Sequence, residues 1–474
     1  MANKLSTEEL PKFNLFSFHV MNNCKDVLLP HQSDALQFLV EKFSANPQSN
    51  HSWSNGAAGD ASEATSPKRP RSEAKDFYLP LHAGVSMPTG SGKTGIICCL
   101  PYYLGSIGLK KPLHGSLATG NPRHHFKKPI LVLAPNLDIA DQLHGQITVA
   151  GGISRKNFLL GKKIVHRDDQ KRVLPDVMKV DVTDDLTDQH SLERYDVIIA
   201  NVHKFLSKKT REESPKWVEK FDDNLFSFVF VDEAHHFPAP TWVKILNKFK
   251  HHAGVIFFTA TPYRSDEKER VVLGKELWFH LTLEDARENK IIRKTNPVPV
   301  GPENFEEADE GVVYEEVLQK IKEIQERKNR EQPLPNNVPH MAIAIVKNQH
   351  QCNEVAKRWN QLFKEEKSAI AYHTGKSDSQ QKEMMKKIEE NEVKLVVVVG
   401  KLLEGFDHPP ISIAAILTKI GSPVKFTQFI GRAQRICRTP VQEEGTIEAD
   451  IVMHSFYQQQ ENYHMFENEL FIKI

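Results

Sequence analysis

The sequence has few cysteines, almost no net charge and no long hydrophobic run, and each absence removes a class of protein. Its 474 residues hold five cysteines, at 24, 98, 99, 352 and 437 with no C-x-x-C pair. That spacing argues against a disulfide framework or a structural zinc site and points to a reducing compartment. The longest apolar stretches, such as Leu395–Val399, are a handful of residues, where a membrane helix needs about 18. The first residues carry acidic groups and Pro11 where a signal peptide would have its apolar centre, so no secretory leader is expected. With 62 basic and 61 acidic side chains the net charge is +1. A polybasic tail-driven binder is excluded, whereas a local basic groove on a neutral protein is not.

What is present is an ordinary globular composition, 39% apolar and 26% charged, long enough for two to four domains at roughly 150 residues each. From about residue 82, short β-branched or apolar runs alternate with helix-length segments, the pattern of parallel sheets flanked by helices. The first series is HAGVSM before Pro88, ILVLA from Ile130, DVIIA from Asp196, SFVFV from Ser227 and VIFFT from Val255. The second is MAIAIV from Met341, AIAYH from Ala369, LVVVV from Leu395 and ISIAAIL from Ile411. Between them lie Pro297 to Pro302 and a helical pattern from Val312 to Lys328, which read as a junction dividing two α/β domains near 290–300. Residues 44–76 are rich in Ser, Asn, Ala, Gly and Pro and read as a disordered insertion; residues 106–129 form a second loop. The expected division is an N-terminal segment 1–43, the insertion 44–76, and domains at 77–295 and 296–474.

Pro88-Thr89-Gly90-Ser91-Gly92-Lys93-Thr94 sits between a strand and a helix. Glycines there let backbone amides curl around phosphates, and the helix N-terminus adds its dipole. In such a P-loop Lys93 contacts the β and γ phosphates and the Thr94 hydroxyl ligates magnesium. Met87 stands where the strict pattern has glycine, and Pro101 predicts a short or kinked helix. Downstream, an apolar strand ends in Asp232-Glu233-Ala234-His235, placing two carboxylates at the carboxyl edge of a sheet, where ligands of open α/β sheets bind. Asp232 suits magnesium and Glu233 suits the base that takes a proton from water.

This ordered set resembles the superfamily two helicases, nearest to the restriction-enzyme-type DEAD/DEAH group, over about residues 28 to 438. Leu29-Pro30-His31-Gln32 is similar to the adenine-reading glutamine motif, Pro88 to Thr94 to motif I, and Val132 to Asn136 to motif Ia. Asp232 to His235 resembles motif II and Thr259-Ala260-Thr261-Pro262 motif III. His373-Thr374-Gly375 looks like a phosphate-contacting turn, Glu404 to Pro409 like motif V, and Gln428 to Arg435 like motif VI. The resemblance implies two tandem RecA-like P-loop NTPase domains of α/β type with parallel sheets. It also implies a nucleic-acid-stimulated ATPase and helicase or translocase, using ATP and Mg2+ between the domains.

By the same resemblance Lys93, Asp232, Glu233, Arg432 and Arg435 are catalytic. Gln32, Thr89, Gly90, Ser91, Gly92, Lys93, Thr94, Gly405 and Asp407 bind nucleotide, with Thr94 and Asp232 holding the metal. His235, Thr259, Thr261 and Gln428 couple the site to a track contacted by Pro135, Asn136, Thr374 and Gly375. Arg432 and Arg435, three apart, would share a helix face and act on γ-phosphate charge.

Departures from the family pattern fall at Asn136, at Ile199-Ala200-Asn201 in place of a motif Ib threonine, and at Phe429; all concern nucleic-acid contacts. DNA is the favoured polynucleotide and RNA the alternative. The rival functions are an ATP-gated clamp or sensor that separates no strands, and a protein-remodelling ATPase. Histidine pairs at 124/125, 235/236 and 251/252 lack partners at metal spacing, and E-x-K strings such as Glu326 to Lys328 fall on a helix expected to be solvated. The basic cluster Lys68, Arg69 and Arg71 inside the insertion reads either as a nuclear import signal or as a solubilising charge run. The expected location is intracellular, nuclear in the first case and cytoplasmic in the second.

Overall fold

A computed structural model of the chain describes residues 20, 21, 23, 24, 26–44, 82–107, 128–148, 157–167, 174–181, 189–205, 221–236, 239–250, 252–261, 277–302, 309–364, 368–399, 408–437 and 448–469. The polar insertion beyond Ser44, with Lys68, Arg69 and Arg71, most of the loop 106–129, and motif V residues Gly405 and Asp407 lie outside them. The chain forms two compact units. One comprises Met1–Val85, Lys93–Thr259 and Lys268–Phe279; the other comprises Ser86–Gly92, Ala260–Glu267 and His280–Ile474.

The first sheet is built from elements that follow helix α1 (Pro30–Ser44). In chain order these are β1 (His82–Ser86), α2 (Lys93–Ile107), β2 (Ile130–Ala134), α3 (Leu137–Ile147), β3 (Val177–Val180), β4 (Val197–Asn201), β5 (Phe228–Val231), α4 (Pro240–Phe249), β6 (Gly254–Thr259) and β7 (Trp278–His280). The strands stand in the order β3-β4-β2-β5-β6-β1-β7, with β3 to β4, β4 to β2, β2 to β5 and β5 to β6 parallel. β2, β4 and β6 are buried along their whole length, which explains their unbroken apolar sequences, since a parallel sheet is covered on both faces. The short edge strands β3 and β7 carry no such signal and escape a reading of apolar runs. Helix α2 continues through Pro101 to Ile107. Ile96, Ile97, Leu100, Tyr102 and Leu104 are all buried, and their packing offsets the backbone hydrogen bond that proline cannot donate.

The second sheet follows helix α5 (Leu283–Glu288) and consists of β8 (Thr295–Val300), α6 (Glu310–Glu331), β9 (Met341–Val346), α7 (Gln349–Leu362), β10 (Ala369–Tyr372), α8 (Asp378–Glu389), β11 (Leu395–Val399), β12 (Ile411–Leu417), α9 (Pro423–Ala433), β13 (Ala449–His454) and α10 (Gln460–Glu467). Its order is β10-β11-β9-β12-β13-β8, parallel throughout. The Pro-rich stretch expected as a junction is the edge strand β8. Ala449 N donates to Lys294 O, so alternate residues from Lys294 face β13 and the backbones of Pro297 and Pro299 face away, where a missing amide costs the ladder nothing. In α6, Val313, Val317, Leu318, Ile321 and Ile324 recur at helical spacing and pack on Ala342, Ala344, Cys352, Val355 and Trp359. Burying each large side chain contributes about 1.5–3 kcal/mol. The two α/β sheets with flanking helices are the tandem RecA-like arrangement.

Candidate active site

The chain leaves β1 at Ser86 and turns through Met87 to Gly92 into α2. Gly90 (φ 88°) and Gly92 (φ 93°) hold left-handed backbone, which glycine adopts without steric cost. Buried Ser91 closes the turn by donating its amide (3.2 Å) and hydroxyl (2.7 Å) to Pro88 O. Met87 buries its side chain and has no left-handed φ, so the glycine of the strict pattern is not required there. Lys93 and Thr94 open the helix. Beside it, a Cβ built on Gly95 would lie 3.2 Å from Nε2 of Gln32, so the glutamine of the first motif stands against the P-loop helix, its Oε1 accepting from Leu29 N.

β5 delivers the carboxylates. Asp232, 8% exposed, is tied to β2 by its amide bond to Leu133 O, and its Oδ1 accepts from Glu233 N at 3.0 Å. Glu233 has φ 49°, a conformation costing a non-glycine residue about 1–2 kcal/mol. It swings the chain from the strand into the 3-10 turn Ala234–His236. His235 Nδ1 stands 3.4 Å from Glu233 Oε2, so two motif II side chains meet. β6 lies between β5 and β1 in the sheet and ends in Thr259, fully buried, followed by buried Thr261.

Motif Ia reads differently in three dimensions. Asn136 caps α3, its Oδ1 accepting from Ile139 N at 2.9 Å. Asn201 at the end of β4 donates to Pro135 O at 3.2 Å and accepts from His203 N. Asn201 thus braces the adjacent strand ends, while Asn136 caps the helix that follows.

In the second unit Thr374 and Gly375 follow β10. Gly375 N donates to His373 Nδ1, and Gln349 Nε2 to Thr374 Oγ1; burial first and then Lys376 hold the His373 pKa below its ordinary value. Helix α9 opens with Ser422 accepting from Lys425 N and Pro423 in its first turn. Gln428 and Arg432 are buried on it, as is Phe429. The helix ends at Ala433, so Arg435 is not on its face, as expected from the spacing, but one residue past the cap. There it forms an antiparallel bridge with Ile292. The P-loop turn belongs to this same unit. A Cβ on Gly431 would lie 2.5 Å from Thr89 Cβ, and one on Gly90 would lie 2.7 Å from Arg435 Cγ. No side chain larger than hydrogen fits at either glycine without displacement.

The family described as type III restriction enzyme, res subunit, matches residues 25–264, and the helicase conserved C-terminal domain matches residues 329–437. The chain belongs to the restriction-type helicase family. Helicase 22 of the Sulfolobus islandicus filamentous virus (isolate Iceland/Hveragerdi) is 28% identical over 268 residues, 52% of this chain and 46% of that protein. Mycobacterium smegmatis helicase Lhr, solved with single-stranded DNA and AMP-PNP, superposes with TM-score 0.52 at 15% identity, covering 82% of this chain and 46% of its own. S. cerevisiae Dbp5, solved with RNA and ADP BeF3, gives 0.50 at 12% identity over 94% and 91% of the two chains. At these identities the structures share the fold. The chain spans less than half the length of helicase 22 and of the Lhr chain.

Among the described residues no three His, Cys, Asp or Glu side chains form a metal cluster, and no helix is long and apolar enough to cross a membrane. Two residues with structural roles here were not among the expected site residues. Asn201 braces motif Ia, and Arg293, an arginine in a linker with no motif around it, is 1% exposed and grips the end of α9. Burial lowers its pKa to about 10, so its charge is retained at neutral pH.

Proposed function

We propose that this helicase-family chain is a magnesium-dependent ATPase stimulated by polynucleotide, acting as a helicase or translocase. The observation that carries the reading is the strand arrangement. β5, ending in Asp232 and Glu233, stands one strand away from β1, which runs into the glycine turn before Lys93. In this reading the Thr89 to Gly92 turn and Lys93 receive the phosphates, and Gln32 contacts adenine. Thr94 and Asp232 are hard oxygen donors of the kind magnesium takes; the ion would supply charge neutralisation at the phosphates. Glu233 accepts the proton of the attacking water, while Arg432 and Arg435 stabilise charge on the transferring phosphoryl group. Gly405 and Asp407 complete the nucleotide contacts. His235, Thr259, Thr261 and Gln428 couple the site to nucleic acid held by Pro135, Asn136, Thr374 and Gly375. We retain 77–295 and 296–474 as the two helicase domains.

The restriction-enzyme family match favours DNA; Lhr was solved with DNA, while Dbp5 was solved with RNA and keeps RNA as the alternative. The test is steady-state ATP hydrolysis with matched single- and double-stranded DNA and RNA, alongside a strand-displacement assay. DNA should stimulate most, and Lys93→Ala should lose turnover by a factor of at least about 10² through loss of the phosphate-binding charge. Unchanged turnover in that variant removes the P-loop assignment. Stimulation without displaced strand removes the helicase and leaves a translocase or a nucleic-acid clamp.

A further inference from the structure

Arg293 lies in the linker between α5 and β8 and belongs to no recognised motif. Its side chain is almost wholly buried, yet among the described residues no carboxylate pairs with it. Nη1 donates to Ile411 O at 2.6 Å and to Ala433 O at 2.9 Å, and Nη2 donates to Pro409 O at 3.0 Å. Its own amide donates to Gln434 O at 2.7 Å, and its neighbour Ile292 forms the bridge with Arg435.

These contacts join two places. Pro409 is the last residue of motif V and Ile411 lies two residues beyond it; Ala433, Gln434 and Arg435 are the end of motif VI. A planar guanidinium with donors in a fixed fork can span both, which a point-charge ammonium or an apolar side chain cannot. Burying a cation against carbonyls alone is costly, and well-packed apolar residues usually give equal or better stability in such places. What the arginine supplies and a hydrophobe would not is geometry. The last carbonyls of a helix also favour a cation electrostatically, so the clamp sits where α9 must stop to release Arg435.

We infer that Arg293 is a positioning residue for hydrolysis, holding Arg435 at fixed register against the end of motif V. The inference rests on the ATPase reading. An arginine that stabilises transition-state charge loses about a hundredfold in rate when displaced by about 1 Å, whereas none of the Arg293 hydrogen bonds goes to Gln32, Lys93 or the rest of α2, which bind nucleotide in the proposed function.

The experiment compares wild type, Arg293→Met, Arg293→Lys, Arg435→Ala and the Arg293→Met/Arg435→Ala double variant for kcat, KM for ATP and thermal melting. Arg293→Met should melt near wild type, lower kcat about a hundredfold and leave KM within about threefold. Arg293→Lys should recover part of the loss. In the Arg435→Ala background the Met substitution should cost less than about twofold, because residues that act as a unit are non-additive. The positioning role is overturned by wild-type kcat in Arg293→Met, or by a loss that is equally large with and without Arg435. A loss that merely follows the fraction of unfolded protein also overturns it, and Arg293→Lys, which keeps the charge, provides the folded comparison if Arg293→Met does not fold. If the wild type itself hydrolyses no ATP, the ATPase reading has failed and the positioning role falls with it. If the wild type turns over and the Arg293 variants match it, only the positioning role has failed.

Discussion

His340 shows how a single buried side chain ties stability to pH. It is 1% exposed, with Nε2–H donating to Gln332 O at 2.7 Å and Nδ1 bonded to the Ser412 hydroxyl at 2.6 Å. Burial pulls its pKa down to about 4; Lys328 and Arg293 pull the same way, against the Gln332 carbonyl and Asp450. The ring is therefore neutral when folded and regains an ordinary pKa of about 6.5 on unfolding. Below that value the unfolded chain binds the extra proton, so the contribution is fully present above pH 6.5. It is lost as pH falls toward 4, by about 3 kcal/mol. Melting temperatures of wild type and His340→Gln across that window measure it. The variant should lose less stability than wild type on acidification, and parallel curves would remove His340 as the cause.

At the scale of elements, a buried ion pair ties α6 to the second sheet. Lys328 near the end of α6 pairs with Asp450 of β13 at 2.9 Å, both side chains at most 2% exposed. Lys328 also donates to Glu448 O, and Asn296 of β8 donates to Asp450 Oδ1 at 2.7 Å. Burial lowers the Lys328 pKa while Asp450 raises it. The helix position expected to be solvated is thus the most enclosed lysine on it, because α6 lays this face across β13. Asp450→Ala should destabilise by about 3–5 kcal/mol, since it strands a buried ammonium, and lower the melting temperature by roughly 10 °C. Replacing both residues with apolar side chains should recover much of that loss. A melting curve for the single variant within 2 °C of wild type would contradict this account.

For the whole molecule, a net charge of +1 means that any polynucleotide must be held by local groups rather than a global field. If Pro135, Asn136, Thr374 and Gly375 contact backbone, affinity should change little with base sequence, because phosphates carry no base information, and lysine and arginine groups beside these uncharged residues should make it fall linearly on a log–log plot against salt. Competition binding with several DNA sequences at several salt concentrations tests this. Strong sequence discrimination with a flat salt response would require base-reading groups that this reading does not include.

Nine strands, the P-loop turn and the acidic strand end were legible in the sequence because each is local. A buried parallel strand must be apolar along its length, and a phosphate turn must have glycine where φ is positive. The edge strands β3, β7 and β8 were hidden because an edge tolerates short, half-polar or proline-containing sequence. β13 was hidden by Asp450, whose charge only α6 explains. Asn201 bracing Pro135, the release of Arg435 from α9 and the clamp of Arg293 were decided by tertiary structure alone. The first and the last are side-chain hydrogen bonds to main-chain carbonyls, acceptors that every residue carries, so no side-chain pattern marks which carbonyl will be gripped until the strands and helices are packed.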